Sequence, residues 1–396
     1  MIVDKMLSND VPMQSNGFYS SNSALQHAAM LHALPLISAA VTRRANEIDI
    51  KQNKSFSAIE YGSADGKNSG DPMRELLKSV GTGSDVQLYF NDRPENDFIT
   101  LSSNIRKYQR SNKLNNRVFT FMAPKSFYEP VVSARSIDLG FSLACLHHLD
   151  HVEPRPEGQS PVDPERQNTL RAQAKNDLRH FLNLRAEEII PGGSLVLSFV
   201  STASTGEENY PGPVNACRAA LIDMVQEGLI PLDVASEFEV PTYNRTLEDV
   251  RNTLHGLETD WVSEEVQEKK VLHPAVEEFT AKKKDDPQNI DLHRLTYGNT
   301  VVDWLMAVVG GYFEKMLRVG LAEKYRQADG ERLLAEWIRR TKEKFLMERE
   351  VEDVSCWFIY VRLTRRETHS NSSGDLQWLK NAALRLFGIS DTGSNS

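Results

Sequence analysis

The 396-residue chain is long enough for one large α/β domain with an elaboration, or for two modest domains. An apolar share of 40%, a charged share of 26% and a formal net charge of −9 fit a globular protein and argue against nucleic acid as a partner. Three cysteines, Cys145, Cys217 and Cys356, lack metal-ligand spacing, which argues against a disulfide framework and a zinc site and suits reduced thiols in the cytoplasm.

The N-terminal residues lack a basic region followed by an apolar run, so they do not read as a signal peptide. The apolar stretches Ala24 to Val41 and Val301 to Phe313 are interrupted by His27, His32 and Pro35 or by Asp303, and no membrane span is expected. From Phe56 onward, strand-length apolar runs alternate with helical patterns, the signature of a parallel sheet with crossover helices. The strands are expected at Phe56 to Tyr61, Val86 to Phe90, Val118 to Met122, Ile137 to Leu143 and Leu195 to Val200. A long helix is expected over Asn168 to Ile189, and Pro191 to Gly193 read as its stop and the turn into the next strand.

Beyond Gly206 the pattern becomes helical, with helices expected around Ala216 to Glu227, Val301 to Lys324 and Glu331 to Met347. Glu264 to Asp286 reads as a solvated surface segment, and Val354 to Arg362 returns to strand alternation. A last helix is expected over Leu376 to Leu386, followed by a disordered tail from Asp391 to Ser396.

Two strand ends carry residues suited to chemistry. After the first strand, Glu60 to Asn68 form a turn in which Gly62 and Gly66 permit positive φ and close approach of a nucleoside. After the second, Asn91-Asp92-Arg93-Pro94 place a carboxylate that can accept both hydroxyls of a ribose. Each alone is a common turn. Together they point to one crevice at the carboxyl edge of an open sheet.

The strings FNDRPENDFITL at Phe90 to Leu101, IEYGSADGKNS at Ile59 to Ser69, YSSNSALQ at Tyr19 to Gln26, PKSFY at Pro124 to Tyr128, SLACLHHL at Ser142 to Leu149, RAEEIIPGG at Arg185 to Gly193 and IDMVQEGLI at Ile222 to Ile230 together resemble the SABATH methyltransferases. That family methylates salicylate, benzoate, jasmonate and related acids, and some members methylate xanthine nitrogens. The resemblance implies a Rossmann-like class I S-adenosyl-L-methionine-dependent sheet with a helical cap. The divisions would be a cofactor-binding core over 1–210, a mainly helical substrate cap over 211–350, and a return to the core sheet plus a tail over 351–396. It implies cofactor contacts from Tyr19, Ser23, Gly62, Ser63, Asn68, Asp92, Ser126 and Phe127, and a homodimer. Gln26 matches the family's carboxylate-binding glutamine, and His147 matches the histidine of its Leu-His-Trp-Leu motif.

Two departures fall in the substrate pocket: His148 stands where the family has tryptophan, and Ala144 stands for a nearby tyrosine. Gln26, Ala144, His147 and His148 are thus the candidate substrate residues, Gln26 and the two histidines also being the catalytic candidates. The stretch matching a magnesium-binding D-x-F-N segment of some plant relatives is Ser236 to Glu239, whose lost Asp and Asn argue against that ion. The function expected is methyl-ester formation on a small aromatic or dicarboxylic acid. The alternatives are methylation of a nitrogen or phenol with a histidine base, or a non-catalytic relative that uses the fold for binding.

Overall fold

The computed structural model describes residues 22–47, 55–81, 83–111, 116–153, 155–156, 159, 163–347 and 353–367. Tyr19, the helix expected at Leu376 to Leu386 and the tail lie outside them.

Helices α1 (Ala24–Leu31) and α2 (Leu34–Glu47) precede β1 (Phe56–Tyr61), α3 (Gly70–Val80), β2 (Asp85–Asp92), α4 (Phe98–Ser111), β3 (Arg117–Pro124), β4 (Ile137–Leu143), α5 (Pro164–Glu188) and β5 (Ile189–Val200). Helices α6 (Pro211–Gln226), α7 (Leu232–Ser236) and α8 (Leu247–His255) lead to β6 (Trp261–Leu272). They are followed by α9 (Pro274–Asp285), α10 (Ile290–Leu321), α11 (Gln327–Met347) and β7 (Ser355–Arg365). The strands form one sheet in the order β3-β2-β1-β4-β5-β7-β6. The first five are parallel, and β7 runs antiparallel between β5 and β6.

Every residue of β1 is buried, because helices cover both faces of the sheet centre. Phe56 and Ala58 join a cluster with Leu25, Ile37 and Leu76 from α1 to α3, while Ile59 and Tyr61 pack with Phe181 and Leu182 of α5 on the other face. The first cluster runs on without a break into Ala220, Val301, Phe313 and Trp337 of the later helices, so these helices share the core of the sheet. No single helix among the described residues is long and apolar enough to cross a membrane. The bent pair α1 and α2 matches a span by composition, but it buries Leu25, Ala29, Ile37 and Val41 in that core.

Two sequence expectations change. Glu264 to Asp286 is not a plain surface segment: it supplies most of β6, the edge strand, and then α9. An edge strand has one row of backbone groups and much of its surface toward solvent, so it tolerates the Glu and Lys residues that suggested a loop. Pro191 to Gly193 do not form a turn either, because α5 passes straight into β5 and these residues lie within the strand, where the register with β4 shifts. A Cβ on Gly193 would sit 2.9 Å from Ile190 O and 3.0 Å from Asp138 O, so the strands approach too closely there for any other residue.

Candidate active site

The carboxyl ends of β1, β2, β3 and β4 meet where the two suspected turns were expected to meet. Asn91, fully buried at the end of β2, joins them. Its carbonyl accepts from Gly62 N at 2.9 Å and Ser63 N at 3.0 Å, and its side-chain Nδ2 donates to Ala123 O and Lys125 O at 2.8 Å. Asp92 then accepts from Ala64 N at 2.7 Å and Arg93 N at 2.8 Å. Asn96 Nδ2 donates to Ala64 O and Asn104 Nδ2 to Asp65 O, pinning the turn from the far side. This loop holds Ala64 at φ +48°, a strained setting for a residue with a Cβ. Gly62 sits at φ +85°, and a Cβ there would lie 2.5 Å from Cys145 Sγ and 3.7 Å from Phe127 Cε1. The bare backbone therefore lets the turn, Cys145 and Phe127 converge.

Ser126 and Phe127 ride on the link from β3 to β4, which a buried ion pair supports from below. Arg185 donates to Phe127 O at 2.7 Å, Glu129 O at 3.0 Å and Glu188 at 2.9 Å. Glu188 also accepts from Tyr61 Oη at 2.7 Å and Val131 N at 2.6 Å. The Arg185 guanidinium lies 4.3 Å from the Tyr61 ring centroid. Of PKSFY, Lys125 N donates to Asp92 O at 2.9 Å and Tyr128 Oη to His148 O at 3.1 Å.

From the other side, α1 brings Ser23, buried and 3.3 Å from Asn68 Nδ2, and one turn later Gln26. Gln26 Oε1 accepts from Trp304 Nε1 of α10 at 3.0 Å. After β4, Ala144 stands at φ +59° with its N–H bonded to Ser198 O at 2.8 Å. Next come His147 and His148, whose rings lie 4.4 Å apart. Their backbone is strapped by residues 241–245: Tyr243 N donates to His147 O, Leu149 N to Pro241 O, and buried Arg245 donates to Leu146 O. No hydrogen bond joins Gln26 to either histidine among the described residues.

Burial dominates the electrostatics here. It pushes His148 down to about 4, with Arg93 adding to the effect, and it holds His147 well below the usual imidazole range, with His148 and Arg245 adding to it. Both rings are neutral near pH 7. Burial raises Asp92 from its ordinary value against the opposing bonds from Ala64 and Arg93. It lifts Glu60 to about 7, where the nearby Ser69 hydroxyl opposes and the charge of Asp92 reinforces the rise. Glu60 Oε2 and Asn91 Oδ1 are buried without a hydrogen-bond partner. Two uncompensated acceptors beside an acid, around a turn whose Gly62 admits no Cβ, suit a cationic, hydroxyl-bearing nucleoside such as S-adenosyl-L-methionine.

Glu60, Trp304 and the Arg185–Glu188 pair were not singled out as site residues from the sequence. Glu60 stood in the quoted turn, and its burial could have been read from its place in an otherwise apolar strand. Trp304 is 278 residues from Gln26, and nothing local signals the pairing. Glu239, in the stretch matching the plant magnesium segment, is held by buried Arg166 through both oxygens at 2.8 to 2.9 Å, so a guanidinium already balances its charge. Among the described residues no group of three or more His, Cys, Asp or Glu side chains could hold a metal ion. A cavity of about 430 Å³ lined by Gln167, Leu170, Glu239, Thr242 and Tyr243 contains none of the residues matched to cofactor or substrate.

Residues 13–349 match the family model described as SAM dependent carboxyl methyltransferase. Methyltransferase LUC1 of Fusarium sp is 49% identical over 360 residues, covering 90% of this chain and 98% of that protein. O-methyltransferase acrG of Aspergillus aculeatus is 50% identical over 374 residues, covering 91% and 99%. A salicylate/benzoate carboxyl methyltransferase of Arabidopsis thaliana is 25% identical over 259 residues, 60% of this chain and 67% of that protein. The fold matches a loganic acid methyltransferase solved with SAH at a TM-score of 0.65 and 20% identity, covering 91% of this chain and 100% of that one. Sheet order, the open carboxyl edge and these likenesses agree: the chain belongs to the S-adenosyl-L-methionine-dependent carboxyl methyltransferase family, the SABATH enzymes.

Proposed function

We propose that the enzyme methylates a carboxylate oxygen of a small organic acid. The observation that carries this reading is the setting of the acceptor side: the His147 and His148 rings lie 4.4 Å apart just after β4, where desolvation and each other's proximity or the nearby arginines hold both imidazoles below their ordinary range. An imidazole titrating near 4 gives little driving force for removing a proton from a phenol or an ammonium, whereas a carboxylate is ionised at neutral pH and needs no base.

When bound, S-adenosyl-L-methionine supplies a sulfonium methyl that a carboxylate oxygen takes without any proton transfer, leaving S-adenosyl-L-homocysteine. The protein's part is to position and to exclude water. Asp92 accepts the ribose hydroxyls, Ser126 and Phe127 hold the adenine end, and Gly62 and Ser63 back the methionine end. Ser23 and Asn68, joined to each other, close the cofactor side, and the family resemblance adds Tyr19 to the cofactor contacts. Gln26 donates to the carboxylate, His147 and His148 offer neutral N–H groups, and Ala144 leaves room for a wider or more polar acid. The helices of 211–350 act as the substrate cap, although β6 within that range belongs to the core sheet, and the strap at 241–245 ties the cap to the histidines. On the family resemblance the working unit is a homodimer, which sedimentation of the full chain tests.

Purified enzyme is incubated with S-adenosyl-L-methionine and a panel of mono- and dicarboxylic acids, phenols and nitrogen heterocycles, with products read by mass spectrometry. The reading expects base-labile methyl esters, with kcat/KM for the acid, measured at saturating S-adenosyl-L-methionine so that the cofactor's own pH-dependent binding does not enter, level from pH 6 to 8. Products methylated only on nitrogen or phenol, or a rate that falls as pH drops through the imidazole range, would refute it.

A further inference from the structure

A glutamine amide has a donor end and an acceptor end of almost the same shape, and its surroundings decide which faces where. For Gln26 that choice is made by Trp304. The indole Nε1 lies 3.0 Å from Gln26 Oε1, and an indole N–H donates but cannot accept. The oxygen end is therefore occupied, and the two amide N–H groups, which make no hydrogen bond to a described residue, are left for an acceptor.

The indole has little freedom to release that bond. Trp304 is 4% exposed and meets two rings edge-on: Tyr210 at 5.1 Å and His273 at 5.4 Å. Each neighbour is itself tied to backbone. Tyr210 N donates to Ser355 O at 2.9 Å, and His273, fully buried, accepts from Ala275 N through Nδ1 at 3.2 Å. The starts of α6 and α9 and the first residue of β7 thus fix the indole plane, and the indole fixes the amide of α1.

We propose that Trp304 is a positioning residue that turns the donor end of Gln26 toward the acceptor pocket and thereby selects a carboxylate over other nucleophiles. The inference rests on the reading that Gln26 receives the substrate acid. An ionised carboxylate only accepts hydrogen bonds and matches two N–H groups. A neutral amine or phenol also carries a proton to donate, and would meet a donor where it needs an acceptor. Removing the indole N–H frees the amide to take either orientation, so the carboxylate must itself turn the donor end inward, without the pre-set geometry.

The test compares Trp304→Phe, Gln26→Ala and the double variant with wild type, using the acid most efficiently esterified in the transfer panel. Calorimetry with S-adenosyl-L-homocysteine checks the cofactor side, and ¹H–¹⁵N spectra record the indole groups of the five tryptophans. Trp304→Phe is expected to raise KM roughly tenfold, the scale of one hydrogen bond to a charged group, with cofactor affinity kept within about twofold. In the Gln26→Ala background the same change should have no further effect on KM. The indole signal missing from Trp304→Phe should shift in Gln26→Ala while the other four stay. A KM increase from Trp304→Phe that persists without Gln26 would show a merely structural role and overturn the inference, as would an indole signal that ignores Gln26→Ala, which needs no substrate. If Gln26→Ala raises KM and Trp304→Phe does not, the positioning role alone fails. If Gln26→Ala leaves KM unchanged, the assignment of Gln26 fails and takes the inference with it.

Discussion

Gly62→Ala separates two costs that the turn after β1 combines. The first is conformational: at φ +85° an alanine leaves its favoured regions, at roughly 1–2 kcal/mol. The second is steric, since the new Cβ would stand 2.5 Å from Cys145 Sγ and 3.2 Å from Cys145 Cβ, an overpacking that costs about 1–3 kcal/mol. Burial pushes the Cys145 thiol up to about 12, so the neighbour is a neutral SH group with no ionic attraction to lose. The sum is about 2–5 kcal/mol in unfolding free energy, read by urea denaturation. Cys145→Ala removes the 2.5 Å contact but leaves φ as it was. The double variant should therefore be less destabilised than the sum of the singles by at least about 1 kcal/mol, yet remain below Cys145→Ala alone by the conformational cost. Both Gly62→Ala variants should bind S-adenosyl-L-homocysteine more weakly, since the turn carries Ser63 and Ala64. Strict additivity, or a Gly62→Ala enzyme as stable as wild type, would refute the claim that close approach of Cys145 requires a glycine here.

Asp92→Ala should lower S-adenosyl-L-homocysteine affinity at least about a hundredfold by calorimetry, since it loses a half-buried charged acceptor and frees Ala64 N; equal affinity would remove Asp92 from the cofactor site. Glu60 titrates near 7 in the folded protein against an ordinary value of 4.5, so its stabilising contribution is complete below pH 4.5 and is lost as pH rises through 7. A cationic cofactor drives its ionisation, so binding of S-adenosyl-L-methionine at pH 6.5 should release protons. That release appears as an enthalpy that varies with the buffer's ionisation heat and disappears in Glu60→Gln; a buffer-independent enthalpy in wild type would contradict this. Arg185→Met leaves Glu188 buried without its cation and should cost about 3–5 kcal/mol of stability in urea unfolding, along with weaker cofactor binding through Phe127. A loss under about 1 kcal/mol would mean that the pair does not support the loop.

The motifs outside the glycine turn were legible as strings before their purpose was. In FNDRPENDF, Asn91 cross-links two strand ends, Asp92 holds the turn, and Asn96 returns to cap it, so three of its polar residues serve one junction. RAEEIIPGG proves to contain the ion pair beneath Phe127 and a glycine that only a close strand contact explains. The charged stretch at Glu264 misled because charge is a property of exposure, and an edge strand is as exposed as a loop.

Local pattern by itself determined the five parallel strands, the glycine turn and the acid at the next strand end. Those depend on residues near one another, whose periodicity and turn chemistry survive in the linear chain. Only the tertiary structure decided that β6 belongs to the sheet and that the later helices continue its core. It also decided that both histidines are neutral and that Trp304 orients Gln26. Each of these turns on burial or on a contact between distant residues. Desolvation and long-range packing exist only once the chain has closed on itself.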